Sequence, residues 1–306
     1  MGRPSPEYEA FAKSVRPGLA LEADPPLVVR EKMHAIHPTA HPGDTVVEPV
    51  VLGGIRAAWV SAPEQCASPR AFLHVHGGAF VSTGIPHFTL YALRLSEAFR
   101  ARVLVFDYRW APEHPFPAAL DDTVAVLRAA FDEGLAPGQT ALGGDSCGGG
   151  LALAALCELR DRGEARPSAY VGLTPWLDAE QRGDAALRPR GVDPFVETRW
   201  IRRRFRDYAG PGGDLRDPRL SPIHADLAGL PPLYLGVGTI DTTSDDATRL
   251  ARRAEAQGVE VTLDVAEGMI HGFHGLVGVF PEAAEGLARA GAFLDLHLGD
   301  AGARSV

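Results

Sequence analysis

From residue 70 onward, short, mainly apolar runs alternate with longer stretches of helical character. The runs are Arg70–Val75, Arg102–Asp107, Thr140–Gly144, Ala169–Leu173, Leu233–Val237 and Val259–Val265. A strand that is apolar at nearly every position buries both of its faces, as strands of a parallel sheet do. Helices are predicted near Thr89–Phe99, Phe116–Phe131, Leu151–Arg160, Asp246–Ala256 and Glu282–Leu298. The alternation therefore predicts an α/β fold, a mainly parallel sheet covered by helices on both faces. A hairpin precedes it, Thr45–Leu52 and Ile55–Val60 about a Gly53-Gly54 turn.

Two segments stand outside this pattern. Residues 1–44 are rich in Pro and His and contain no clear strand, and about 59 residues separate Leu173 from Leu233, long for a crossover. Within the second segment, Ile201, Phe205 and Tyr208 fall at i, i+4 and i+7, an apolar stripe on one helix. Its arginines, Arg202, Arg203, Arg204 and Arg206, read as a solvated face, with reception of an anionic substrate as the alternative. A single domain over residues 1–306 is expected, with elements from 1–44 and about 177–225 folded over the sheet as a cap.

Charge excludes some partners. The chain carries 30 basic and 39 acidic residues, a net charge of −9, which argues against nucleic acid and against an anionic membrane surface. No apolar stretch approaches the roughly 20 residues of a membrane span. Cys66, Cys147 and Cys157 form neither a disulfide framework nor a metal pattern, and the N-terminus lacks the apolar stretch of a signal peptide. A cytoplasmic protein with reduced thiols is expected.

Gly144-Asp145-Ser146-Cys147-Gly148 lies between a strand and a Leu/Ala helix. A G-x-S-x-G sequence in that setting is a nucleophile elbow, whose glycines let neighbouring backbone close in on a sharp turn. A phosphate loop is the rival reading, but no Lys follows the glycines and the GxGxxG spacing is missing. Ser146 is the expected nucleophile. Cys147 is expected to offer its backbone N–H while its thiol points into the fold. His74-Val75-His76-Gly77-Gly78-Ala79-Phe80 ends an apolar strand and resembles a glycine-rich oxyanion loop, with Ala79 in place of a third glycine. His74 and His76, at i and i+2, could form a metal pair, but no Cys or carboxylate lies near them in sequence, and no metal is expected.

These motifs, together with Asp107-Tyr108-Arg109-Trp110-Ala111-Pro112-Glu113-His114-Pro115-Phe116-Pro117-Ala118-Ala119, resemble the hormone-sensitive-lipase-like family of α/β-hydrolases, the GDXG esterases, over about residues 45–298. The resemblance implies an eight-stranded sheet, a cap from the N-terminal segment and the late insertion, and carboxylic-ester hydrolysis without a cofactor. In this fold the acid and then the histidine follow the serine along the chain. Asp241 exits the strand Leu233–Val237, and His271, followed by Gly-Phe, exits Val259–Val265. Asp245 and Asp246 read instead as acids in a first helical turn, with Thr243 or Ser244 as its cap. His274 reads as structural.

The expected mechanism is acyl transfer by a Ser146–His271–Asp241 triad, with N–H groups of Gly78, Ala79 and Cys147, and also Gly77, around the oxyanion. A histidine near its ordinary pKa would make activity fall below about pH 6–7. Phe80, Trp176, Phe195, Trp200 and Phe205 are candidate pocket walls, each equally readable as core. Small-to-medium acyl esters, lactones or an acetyl group on a natural product are the expected substrates; a homodimer is left open. The alternatives are acyltransferase, amidase or elimination chemistry on the same triad, and a non-catalytic small-molecule receptor.

Overall fold

Each of the six runs becomes a strand of one sheet, although the last, with Glu260, Thr262 and Asp264, alternates and forms a half-buried edge strand. The computed structural model describes residues 4–15, 22–189 and 191–299; residues 1–3 and 16–21, within the expected cap segment, lie outside the described residues. The strands are β1 (Val46–Leu52), β2 (Ile55–Ser61), β3 (Ala71–Val75), β4 (Arg102–Phe106), β5 (Thr140–Asp145), β6 (Ala169–Leu173), β7 (Leu233–Gly238) and β8 (Val261–Ala266). They form an eight-stranded sheet in the order β1-β2-β4-β3-β5-β6-β7-β8. The β1–β2 and β2–β4 pairs are antiparallel and the rest parallel, so the expected α/β architecture is borne out.

The helices are α1 (Pro6–Ser14), α2 (Pro26–Ile36), α3 (Ile85–Phe99), α4 (Ala118–Asp132), α5 (Cys147–Asp161), α6 (Thr198–Ala209), α7 (Ser244–Ala256) and α8 (Pro281–His297). Alternate residues of a strand face opposite sides of the sheet. Phe72 accordingly packs with Phe88, Leu95, Phe99 and Leu294 from α3 and α8. Its neighbours Leu73 and Val75 join Leu127, Leu151 and Leu250 from α4, α5 and α7. Both faces of the sheet are thus closed by helices.

Helix α5 starts four residues earlier than its sequence suggests. Glycine is a poor helix former, so the Gly148-Gly149-Gly150 run reads as loop. Yet a Cβ at Gly148 would collide with the Val75 and His76 carbonyls, and one at Gly150 with the Trp176 carbonyl. Close packing against the sheet requires bare backbone there, and it outweighs propensity.

The N-terminal and late segments meet over the carboxyl ends of the strands. Ser5 caps α1 through the Tyr8 N–H and donates its hydroxyl to Glu282 at 2.8 Å. Phe11 of α1 lies 6.2 Å from Phe195 of the late segment, ring centre to ring centre. Arg30 of α2 donates to the Val81 carbonyl at 2.7 Å and pairs with Glu113. In α6, Ile201, Phe205 and Tyr208 are buried as expected, but Arg204 is not part of a solvated face. It is fully buried, 2.8 Å from Asp207 Oδ2, and it donates to the Asp24 carbonyl at 3.0 Å. Position 204 is i+3 from Ile201, so the helix period itself puts it on the stripe. Among the described residues no helix is long and apolar enough to cross a membrane.

Candidate active site

Ser146 sits in the turn between β5 and α5 with φ 54° and ψ −129°. A non-glycine residue at positive φ is strained, and such strain gathers where function holds it. The turn is pinned from both sides. Ser146 N–H donates to the Leu173 carbonyl at 3.1 Å, and its own carbonyl accepts from Trp176 N–H at 2.9 Å.

Two loops from neighbouring strands complete the constellation. Asp241 lies just past β7 and His271 just past β8, and the Ile240 N–H joins the loops by donating to the Met269 carbonyl at 2.9 Å. His271 Nε2 is 3.0 Å from Ser146 Oγ, and its Nδ1 is 3.0 Å from Asp241 Oδ1. Thr243 donates both its N–H (2.8 Å) and its hydroxyl (2.9 Å) to that same carboxylate oxygen. Thr243 occupies the N-cap position of α7, but its side chain serves Asp241 rather than the helix. Asp245 and Asp246 do more than favour a first turn: Asp245 accepts from Ala185 N–H, and buried Asp246 accepts from Gln181 at 3.1 Å. Both tie α7 to the late segment.

Burial works to lower the pKa of His271, but Asp241, then Asp193 and Asp145, outweigh it and raise the imidazole above its ordinary value. That moves the expected acid limb of activity upward from pH 6–7.

The glycine-rich loop after β3 faces the serine. Gly78 has φ 117°, and Ala79 and Phe80 follow at 58° and 65°, both left-handed. Gly77, one of the expected oxyanion donors, gives its N–H to Asp145 Oδ1 at 3.0 Å. Burial raises the Asp145 carboxyl, yet His74 and the Gly77 N–H hold it below its ordinary range. His74 Nε2 lies 3.0 Å from that carboxylate, which sequence separation had hidden. His76 stacks on Tyr108 at 4.3 Å and directs Nδ1 to the Gly77 carbonyl at 2.7 Å. The two histidines thus brace the loop. The Cys147 sulfur accepts from Phe80 N–H at 3.2 Å, and burial pushes its thiol up to about 12. A thiolate there is suppressed.

If Gly78 donates to the oxyanion, Gly78→Ala is expected to lower kcat by about 10²–10³ fold, because it keeps the N–H but forces it out of position, approaching the loss seen when an oxyanion donor is removed. The added methyl would collide with Ser82 and Thr83, and the φ excludes an L side chain. Hydrolysis of p-nitrophenyl acetate checks this, with the melting temperature separating loop damage from unfolding.

Ser146, His271, Gly78 and Ala79 open onto a cavity of about 530 Å³. Of the five aromatic wall candidates, Phe195 and Trp200 line it. Phe80, Trp176 and Phe205 do not: they pack behind it, with Phe80 stacked on Tyr208 at 4.2 Å and Trp176 edge-on to Trp200 at 5.7 Å. Much of the wall comes from residues that sequence reasoning passed over, including Phe11, Met33 and Ile36 of the first two helices and Phe88 and Tyr91 of α3. The sequence predicts no helix over α1 or α2, and only assembly brings these side chains around one empty space.

This strand order, with a strained serine at the β5–α5 turn, defines a protein of the α/β-hydrolase fold. A family profile for the alpha/beta hydrolase fold matches residues 72–275. An acetyl-hydrolase of Streptomyces hygroscopicus is 38% identical over 259 residues, spanning 85% of this chain and 84% of that protein. An esterase of Acinetobacter venetianus is 31% identical, spanning 79% of each. The crystal structure of an esterase from the bacterial hormone-sensitive lipase family superposes with a TM-score of 0.86 at 35% identity, covering 98% of this chain and all (100%) of that one. The chain belongs to the α/β hydrolases, in their hormone-sensitive-lipase-like branch.

Proposed function

We propose that this protein is a serine hydrolase of small-to-medium carboxylic esters, working through Ser146, His271, Asp241 and an acyl-enzyme. One observation carries the reading: the unbroken relay from Asp241 Oδ1 through both ring nitrogens of His271 to Ser146 Oγ, each contact 3.0 Å. With Asp241 ionised, Nδ1–H donates to the carboxylate and Nε2 is left to take the serine proton. Ser146 attacks the ester carbonyl, and N–H groups of Gly78, Ala79 and Cys147 receive the oxyanion. His271 returns the proton to the leaving alcohol, and water then reverses the sequence.

In this reading α1, α2 and α6 form the cap. The cavity of about 530 Å³ falls within the usual 300–1,000 Å³ range of small-molecule sites. Its wall is largely apolar and comes in part from the cap residues Phe11, Met33 and Trp200, which favours an acyl or alcohol group of moderate length over a fat chain at an oil interface. The relatives named above as esterase and acetyl-hydrolase support the same reaction class.

A series of p-nitrophenyl esters measured across pH tests the proposal. Rates are expected to peak between acetyl and octanoyl, and kcat/KM to fall with acid through a midpoint above 6.5, because the neutral imidazole is the base and its pKa is raised. A maximum at palmitoyl, or a rate unchanged down to pH 4, would defeat it.

A further inference from the structure

Asp193 lies in the late segment before α6, 5% exposed, and the reaction as drawn gives it no part. Its Oδ2 accepts the main-chain N–H of His271 at 3.0 Å and faces the N–H of Thr242, next to Asp241, at 3.4 Å. Its Oδ1 accepts the Phe195 N–H at 2.9 Å and faces that of Val196 at 3.4 Å. One carboxylate thus gathers main-chain donors from three separate stretches: the acid loop, the histidine loop and the cavity wall, which Phe195 and Val196 line. From the same segment Arg188 donates to the Asp241 carbonyl at 2.8 Å. The ionisable groups facing Asp193 are Asp241, His271 and the Tyr8 phenol, with Arg188 beside them in an adjoining cavity.

We propose that Asp193 is a positioning residue: by holding the His271 backbone to the cap segment, it sets the imidazole against Ser146. This rests on the triad reading above. Asp241 fixes the His271 ring through Nδ1, while Asp193 on the His271 N–H and Thr174 on the Gly272 N–H (3.1 Å) fix the main chain that carries it. Without the Asp193 bond the His271 backbone can shift and carry the ring with it, and displacement of about 1 Å at a reacting atom costs on the order of 10²-fold in rate. Asp193 would therefore act on turnover rather than on substrate affinity. A carboxylate that merely closes its own turn, through Phe195, would leave both turnover and the base's titration alone.

The experiment compares Asp193→Asn and Asp193→Ala with the wild type by p-nitrophenyl butyrate kinetics across pH and by the rate of fluorophosphonate addition to Ser146. Asp193→Asn keeps the volume but removes the charge and one acceptor. Its kcat is expected to fall about 10–100-fold with KM within about threefold, and phosphonylation to slow in parallel. The acid limb of kcat/KM should move to lower pH, since a negative charge that favours protonated His271 is gone. Asp193→Ala should lose more. Turnover per phosphonate-titratable site and an acid limb both unchanged in the two variants would overturn the proposal. So would failure of both to fold, which would assign Asp193 to stability alone. A wild-type protein that neither cleaves esters nor takes the phosphonate would sink the triad reading itself, and this proposal with it.

Discussion

Ser146→Ala is expected to lower kcat by about 10⁵–10⁶ fold while leaving KM within a few-fold, the largest effect of any single change. In the proposed mechanism this hydroxyl forms the covalent intermediate, and without it the histidine has no serine proton to take. Triad members act as a unit, so removing the nucleophile costs about as much as removing all three. What survives comes from the oxyanion N–H groups and from binding, about 10³–10⁴ over water. The neighbouring thiol does not stand in, because Cys147 is buried with its pKa pushed up to about 12 and its sulfur faces Phe80 N–H, away from the elbow. Steady-state hydrolysis together with intact-mass detection of a fluorophosphonate adduct checks this. A variant that keeps more than about 1% of wild-type turnover, or still takes the phosphonate, would place the nucleophile elsewhere.

Asp241→Ala is expected to cost about 10⁴ fold in kcat, which corresponds to about 5.5 kcal/mol of transition-state stabilisation. In the proposed mechanism the carboxylate holds the tautomer that leaves Nε2 free and stabilises the imidazolium formed as Ser146 attacks. Asp241→Asn should lose less than Asp241→Ala. Thr243 donates both its N–H and its hydroxyl to Oδ1, and these donors would keep an amide oxygen, rather than its NH₂, turned toward His271 Nδ1. The tautomer then survives and only the charge is lost. Single-turnover acylation rates for the two variants measure the difference directly. Equal losses would show that Thr243 does not govern the orientation of that side chain.

Most of the strands were legible because a buried strand advertises itself by composition alone. β6 was read to the residue, and β5 and β7 end one residue beyond their predicted limits. Helix starts were harder. The beginning of α5 hid behind three glycines, whose purpose is close approach to the Val75 and Trp176 carbonyls. Arg204 was misjudged by charge, although helical spacing from Ile201 already placed it on the buried stripe. The partner of the Gly77 N–H was hidden for a different reason: it is Asp145, 68 residues away along the chain. The aromatic wall divided likewise: Phe195 and Trp200 face the cavity, while Phe80, Trp176 and Phe205 fill the packing behind it.

What residue order alone determined was local. Runs of apolar residues specify buried strands, a glycine-flanked serine between strand and helix specifies a sharp turn, and the succession of serine, acid and histidine along the chain specifies a triad order. Each signal acts over a few residues or through connectivity, so it survives without coordinates. Tertiary structure decided which donors are free, which charges are buried and which rings border empty space. It set the Thr243 grip on Asp241, the bond from Asp193 to the His271 backbone and the rise in the His271 pKa. These quantities depend on distances between segments tens of residues apart, and packing of the whole sheet with its helices sets those distances.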